Sequence, residues 1–384
     1  MPSTQSRTSA HVNRQADWIY SSGVDWPDLV TRVVPILYFL VMITVVAELA
    51  DRMGLFTALG NLATRVSRGR VLVLWLLLVV ISVATTAVLS LDTTAVLITP
   101  VALALAKQHR LHPVLATWTC VWVANCASLT LPVANLTNLL TLSHPARHLT
   151  ADDWLSTTWA PALVGVVVPL VVLAVRHRHD LRGRITQRPD PVERRGLVWA
   201  AGLVCAGLAG AFVLGAPVPL AAGTAALLLG VCCVVAAPHH LDVRILPWRT
   251  VIGVSVLFVV VTAVHQVGLS ELVLVATGAG DDGWSLVRLA GVSALVSNVI
   301  NNLPAYLALE PAADSVRRTI AVLVGTNMGP LVTPWASVAT LLWADRCRAA
   351  GVPVAWGPLA GWGAVVAVLT VGLAVGATVL TVAA

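Results

Sequence analysis

Residues 71–106 read VLVLWLLLVVISVATTAVLSLDTTAVLITPVALALA and carry one charge, Asp92. A straight helix of that length would run to about 54 Å against a hydrocarbon core of about 30 Å, so the chain has to turn back inside it. The polar run Ser90-Leu91-Asp92-Thr93-Thr94 is the place to turn. About a dozen residues separate it from Lys107, too few for a full crossing but enough for the returning arm of a re-entrant hairpin. Arg65, Arg68 and Arg70 precede the stretch and Lys107 and Arg110 follow it, which puts both ends on the cytoplasmic side and leaves the tip at depth. An ionisable group there is costly and marks a functional site.

The rest of the chain obeys the same rule. It is 58% hydrophobic and 11% charged, with a mean hydropathy of +0.86. Further apolar segments at about 29–50, 113–143, 157–176, 196–214, 217–237, 249–268, 284–316, 318–344 and 355–382 make it a polytopic membrane protein. If 71–106 and 284–316 are both hairpins, eight crossings remain. The net charge of +6 does not indicate nucleic acid, because the basic residues sit in short loops. With the N-terminus outside, seventeen of the 24 Lys and Arg residues fall on the cytoplasmic side, many of them in the run 176–195. Residues 1–28 hold no apolar core, so they read as a flexible polar tail and not a signal peptide. Six cysteines lie almost entirely within apolar runs, without disulfide or metal-ligand spacing.

An internal repeat organises these segments. ASLTLPVANLTNLL at 127–140 lies over GPLVTPWASVATLL at 329–342 with a constant offset of 202, pairing Asn125 with Asn327, Asn135 with Ser337 and Asn138 with Thr340. The hairpin sequences align less closely, near an offset of 211. Because the two hairpins enter from opposite faces, the expected fold is all-α with two inverted-topology repeats. Each has a re-entrant hairpin and a discontinuous transmembrane helix. The first repeat covers 29–176 (hairpin about 71–106, broken helix about 113–143). A basic loop and two linking helices fill 177–248. The second repeat covers 249–384 (hairpin about 284–316, broken helix about 318–344).

The broken helices follow from proline. Pro132 in the first, and Pro330 and Pro334 in the second, remove backbone donors and clash with the preceding turn, so both helices should open there, the second more widely. Unwound backbone at membrane depth is tolerated where it lines a cavity. Four polar breaks, two from each half, should meet near the midplane, where transporters place substrate and ion sites. The candidate binding residues are Asp92, Thr93, Asn125, Ser128, Asn135, Asn138, Asn298, Asn301, Asn302, Asn327, Thr333 and Ser337, with Asp92 the proton-coupling group because it alone among them can change charge. Glu48 and Asp51 read as a solvated helix end, His265 as a packing histidine, and Trp26, Trp154, Trp284 and Trp356 as an interfacial belt. Cys120 and Cys126 tempt as thiolate ligands for a soft metalloid, but read as small residues that pack well.

At GTNMGPLVTPWASVATLLW (325–343), VSNVINNLP, ANCASLTLPVANLTN and SLDTTAVLITP the chain resembles the arsenite efflux permeases, the arsenical pump membrane proteins of the ion transporter superfamily. The resemblance implies export of As(OH)3 or Sb(OH)3 from the cytoplasm across the plasma membrane, driven by protons or by a soluble ATPase on the cytoplasmic face. It places Asp92 in the acidic position of the first hairpin motif, Asn301 and Asn302 in the second, and Asn135 and Ser337 in the unwound segments. Leu91, Asn327 and Leu331 depart from the usual Asn, Asp and Lys.

Two other classes fit less well. A sodium/proton antiporter could use Asp92 with Asn and Ser oxygens, whereas a dicarboxylate carrier lacks cationic groups in the breaks. An intramembrane enzyme has no support: one acid cannot form an aspartyl dyad, and GxSxG, HExxH and P-loop patterns are absent. No cofactor is implied. The expected partners are the small inorganic solute, protons and the lipid bilayer, with no nucleic acid; an ATPase and a homodimer are left open.

Overall fold

The computed structural model describes residues 26–109, 111–143, 149–184, 195–236, positions scattered between 246 and 260, and 270–382. The tail up to residue 25, residues 185–194 of the basic loop, most of the apolar segment at 249–268 and His265 lie outside the described residues. Apart from one isolated bridge between Arg70 and Arg184, the regular structure among the described residues is helical.

Seven described helices are long and apolar enough to cross a membrane. Five are single helices: α1 (Trp26–Arg52), α7 (Trp154–Arg176), α8 (Arg195–Val213), α9 (Val218–Ala236) and α15 (Trp356–Thr381). The other two, α3 (Val71–Leu89) and α11 (Gly283–Ile300), are arms that stop at a polar break. α2 (Leu55–Val66) follows α1 after a reversal at Gly54, whose φ of 83° suits a residue without Cβ. α9 packs on α1, α7 on α15, and α11 on α13 (Val316–Met328).

Both arms end on a non-glycine residue in a backbone region that is essentially reserved for glycine. Ser90 has φ 92° and ψ 162°. Asn301, 211 positions later, has φ 96° and ψ 152°. Such a conformation costs about 1–3 kcal/mol and persists only where the surroundings impose it. After Ser90 the chain makes a short turn, Leu91–Thr93, then a π-helical turn, Thr94–Ile98, before α4 (Thr99–His109). Pro100 accounts for the wide turn, since its ring clashes with the carbonyl four residues back and it offers no N–H. The Thr86 and Thr94 hydroxyls, 2.8 Å apart, tie the two arms together. In the second half α10 (Ser270–Thr277) precedes α11, and α12 (Asn302–Leu309) follows Asn301 directly.

The interrupted helices match at an offset of 202. α5 (Pro113–Cys126) corresponds to α13, and α6 (Leu136–Ser143) to α14 (Val338–Ala349). The residues that restart the helices have nearly equal dihedrals: φ −148° and ψ 145° at Asn135, φ −143° and ψ 140° at Ser337. The two breaks are equally long but differently filled. The first keeps two 3-10 turns, Ala127–Leu129 and Pro132–Ala134, whereas the second keeps none, as expected from its two prolines. Each break is held against a glycine. A Cβ on Gly165 of α7 would overlap the Cys126 carbonyl oxygen, and one on Gly363 of α15 would overlap that of Leu331.

Trp154 does not belong to an interfacial belt: it is fully buried, and its indole N–H donates to the Leu129 carbonyl at 3.2 Å. It satisfies an acceptor freed where α5 unwinds, and an acceptor freed inside the fold is a stronger partner for an indole than the interface. Trp284 is exposed, as a belt residue would be, while Trp356 packs edge-on against Trp343.

Candidate functional site

The two interrupted helices meet through Asn327, which is completely buried at the end of α13. Its carbonyl oxygen accepts from the Asn135 amide at 3.1 Å and from the Thr137 hydroxyl at 2.7 Å, and its amide donates to Asn138 Oδ1 at 2.9 Å. Asn135 also donates to Ser128 Oγ at 3.3 Å, and Asn138 to the Ser128 and Leu131 carbonyls at 2.7 and 3.0 Å. The unwound carbonyls of the first half are therefore satisfied by side chains that also reach the second half. Of the candidate residues, Ser128, Asn135, Asn138 and Asn327 are brought together.

At the repeat-related position this network has no equivalent. Stepping by 202 converts Asn327, Asn135 and Asn138 into Asn125, Ser337 and Thr340. Asn125 Oδ1, Ser337 Oγ and Thr340 Oγ1 are all buried without a hydrogen-bond partner. The Asn125 amide donates only to Val121 O of its own helix, at 2.9 Å. Thr99 Oγ1, Trp122 Nε1 and Trp343 Nε1 are unpartnered as well, so six of the eight such atoms among the described residues lie on or next to α4, α5 and α14. Those three helices pack on one another. Leaving a polar group buried and unpaired costs about 1–3 kcal/mol, so a concentration of them calls for a ligand or water to complete it. The set is mixed: two indole N–H donors, one amide carbonyl acceptor, and three hydroxyls able to serve as either.

The polar breaks that follow α3 and α11 differ. Asp92 is half-buried and makes no hydrogen bond among the described residues, and its turn packs against both α14 and α5. Thr93 bonds only to the nearby Ser90 hydroxyl, 3.3 Å away. The second tip is closed by its amides. Asn298 donates to Ala294 O and Gly329 O, both at 2.8 Å, and accepts from the Val332 and Thr333 amides. Thr333 Oγ1 returns a bond to the Asn298 carbonyl at 2.7 Å. Asn301 donates to Trp335 O, and the Asn302 backbone N–H donates to Ala336 O. Asn298, Asn301 and Thr333 thus fasten the break after α11 to the second break through their side chains, and Asn302 does so through its backbone N–H alone.

A cavity of about 330 Å³ lies along α4 and the π-helical turn before it, lined by Val96, Pro100, Ala104 and Gln108 on one side and by Glu48, Asp51, Asn61 and Arg346 on the others. Glu48 forms an ion pair with Arg52 at 2.9 Å. The acidic end of α1 is thus one wall of a polar vestibule. Cys120 and Cys126 are completely buried, and the Cys120 thiol faces its own helix carbonyl, Ala116 O.

Thr137, Thr340, Trp122, Trp343 and Trp335 were not among the candidate binding residues. Thr137 lies in the same polar run as Asn135 and Asn138, and Thr340 is the repeat partner of Asn138, so the offset itself was the signal for both. For the three tryptophans no local pattern distinguishes an indole that meets a break from one that packs.

The citrate transporter family (CitMHS) matches residues 16–340. The arsenical pump membrane protein of Escherichia coli K12 is 27% identical over 350 residues, covering 83% of this chain and 79% of the relative. That of Yersinia enterocolitica is 25% identical over 347 residues with the same coverage. An uncharacterized transporter of Mycobacterium tuberculosis H37Rv is 24% identical over 385 aligned positions, covering 92% and 86%. Among solved structures, the YdaH transporter of Alcanivorax borkumensis, described as having an unusual topology, superposes with a TM-score of 0.57 at 16% identity, covering 92% of this chain and 86% of the other. At that identity the likeness concerns the fold.

Proposed function

The chain belongs to the citrate transporter family and is a multi-pass membrane transporter, and from that premise we propose that it exports small uncharged metalloid hydroxides, As(OH)3 or Sb(OH)3, from the cytoplasm in exchange for protons. The observation that carries this reading is the cluster of unpartnered buried atoms Thr99 Oγ1, Trp122 Nε1, Asn125 Oδ1, Ser337 Oγ, Thr340 Oγ1 and Trp343 Nε1. A neutral triol both donates and accepts, and this set offers both functions with no countercharge. The breaks at 127–135 and 329–337 contain no Lys or Arg. A free citrate trianion buried there would lack the cationic partners that a desolvated carboxylate requires. The relatives named as arsenical pump membrane proteins point the same way.

In this reading the two halves are inserted with opposite orientation, each contributing a hairpin and an interrupted helix. Asp92 is the only acid in the hairpin tips and breaks, and it carries the coupling proton. The cavity beneath its returning arm, walled by Glu48, Asp51 and Arg346, is the cytoplasmic vestibule. The second hairpin, tied down by Asn298 and Asn301, is the fixed side of the site; the first, fastened mainly by hydroxyls, is the side that changes protonation.

A sodium/proton antiporter is the rival reading, favoured by the unpaired Asp92 carboxylate with the Ser90 and Thr93 hydroxyls close by in sequence. Everted vesicles separate the two. Arsenite uptake should rise with the imposed pH gradient in the wild type and fall to background in Asp92→Asn, with normal membrane insertion. Sodium-driven proton flux without arsenite uptake would establish the rival, and undiminished arsenite uptake by Asp92→Asn would remove Asp92 from the mechanism.

A further inference from the structure

Away from this site, three groups with metal-binding chemistry converge where no transport role needs them. His112 directly precedes α5, His177 directly follows α7, and Asp180 opens a short 3-10 turn, Asp180–Arg182. One donor atom from each lies within 4.8 Å of the other two, and the imidazole rings are 5.0 Å apart between centroids. Asp180 Oδ2 holds His177 Nδ1 at 2.8 Å. With Nδ1–H donated to the carboxylate, the other nitrogen keeps its lone pair, and the carboxylate, imidazole and ion of a metal site are commonly ordered in this way.

His177 is only 6% exposed, yet its Nε2 has no hydrogen-bond partner. A buried ring nitrogen left empty beside a second imidazole is the independent sign that the cluster is more than a surface arrangement. We propose that His112 and His177, with Asp180 holding the His177 ring and supplying negative charge, form a binding site for a divalent transition ion of the zinc class.

The surroundings select that class. Arginines crowd the region: Arg176 is stacked over Trp118 and Trp362 at 5.5 and 4.8 Å, and Arg178, Arg182 and Arg184 follow in sequence. Hard ions such as magnesium and calcium depend on oxygen ligands and charge, which this setting denies them. A borderline ion bonds imidazole nitrogen directly and tolerates positive neighbours better. Nitrogens sharing one zinc at about 2.0–2.1 Å sit closer together than the 4.8 Å within which one donor of each group lies, so binding draws the two rings together. His112 is exposed and can supply that movement by rotation. The bound ion would tie the start of an interrupted helix to the end of the span beside it.

The test uses the full chain without a histidine tag, purified in detergent, with zinc chloride as probe. Zinc content after desalting and the unfolding midpoint across a zinc titration are measured for wild type, His112→Ala, His177→Ala and, as control, His179→Ala. The wild type and His179→Ala should bind one more zinc per chain than His112→Ala, and their midpoints should rise with zinc but not with magnesium, as expected when an ion binds only the folded state. If His177→Ala does not fold, His112→Ala alone carries the test, because that side chain is exposed. Equal zinc content and equal midpoint rise in wild type and His112→Ala would overturn the proposal.

Discussion

Asn125 and Asn327 occupy the same position in the two halves, are both completely buried, and should respond oppositely to the same substitution. Asn327→Ala removes three hydrogen bonds to Asn135, Thr137 and Asn138. At about 0.6 kcal/mol for a bond between membrane helices, their loss amounts to roughly 2 kcal/mol. The substitution also strands Asn138 Oδ1, adding about 1–3 kcal/mol for a buried acceptor without a donor. The expected destabilisation is therefore about 3–5 kcal/mol. Asn125→Ala loses one bond, to Val121 O, and also removes an oxygen that is already unpaired, so the terms nearly cancel. Thermal unfolding in detergent should show a much lower midpoint for Asn327→Ala and little change for Asn125→Ala, while in vesicles Asn125→Ala should lose transport despite its normal stability. Equal destabilisation of the two variants would refute the claim that one asparagine is structural and the other unsatisfied. A stable and fully active Asn125→Ala would refute its place in the substrate site.

Ser90→Gly relieves a backbone conformation costing about 1–3 kcal/mol, less up to about 1 kcal/mol for the freer unfolded chain; a net gain of about 1 kcal/mol in unfolding measurements is expected. Ser90→Val should instead lower stability, because a β-branched residue tolerates that φ least. Gly363→Ala drives a Cβ into the Leu331 carbonyl and should cost about 1–3 kcal/mol, with transport impaired beyond the loss of folded protein because the second break is displaced. Asp282 caps α11 through the Trp284 and Ser285 amides, and the hydrogen bond from the Ser285 hydroxyl, followed by those amide bonds, holds its carboxyl below the usual aspartate value. The unfolded chain binds the proton first as pH falls, so the cap's contribution is full above about pH 4 and declines below it. Unfolding followed from pH 6 to pH 3 should show that decline in wild type and a smaller one in Asp282→Asn.

The breaks were legible because membrane sequence punishes irregularity. Proline at 132, 330 and 334, and hydroxyl and amide runs inside apolar segments, cannot be accidental where each unsatisfied backbone group costs several kcal/mol. The offsets were legible for the same reason, since both halves keep the breakers in register. The pivot was less plain. Asp92 drew attention as the lone charge, yet the glycine-like backbone conformation falls at Ser90, and only dihedral angles distinguish the two. Trp154 misled because a tryptophan beside Asp152 and Asp153 looks interfacial until the carbonyl of Leu129 is found above its indole.

What no sequence pattern could show is the asymmetry between the halves. Asn327 and its three partners are 189 to 192 residues apart, and whether such a contact closes depends on how two helices lean on each other, a long-range property of packing. The repeat predicts two equivalent networks, and the structure closes one and leaves the other open. In an alternating-access cycle a pair of equivalent sites cannot both be satisfied by the protein's own groups if either is to accept cargo. The closed network joins the two interrupted helices, and the open one beside Asp92 is where the proposed function puts the solute. Exchanging the two states would require Asn125 to gain partners on α14 as Asn327 releases Asn135 and Asn138.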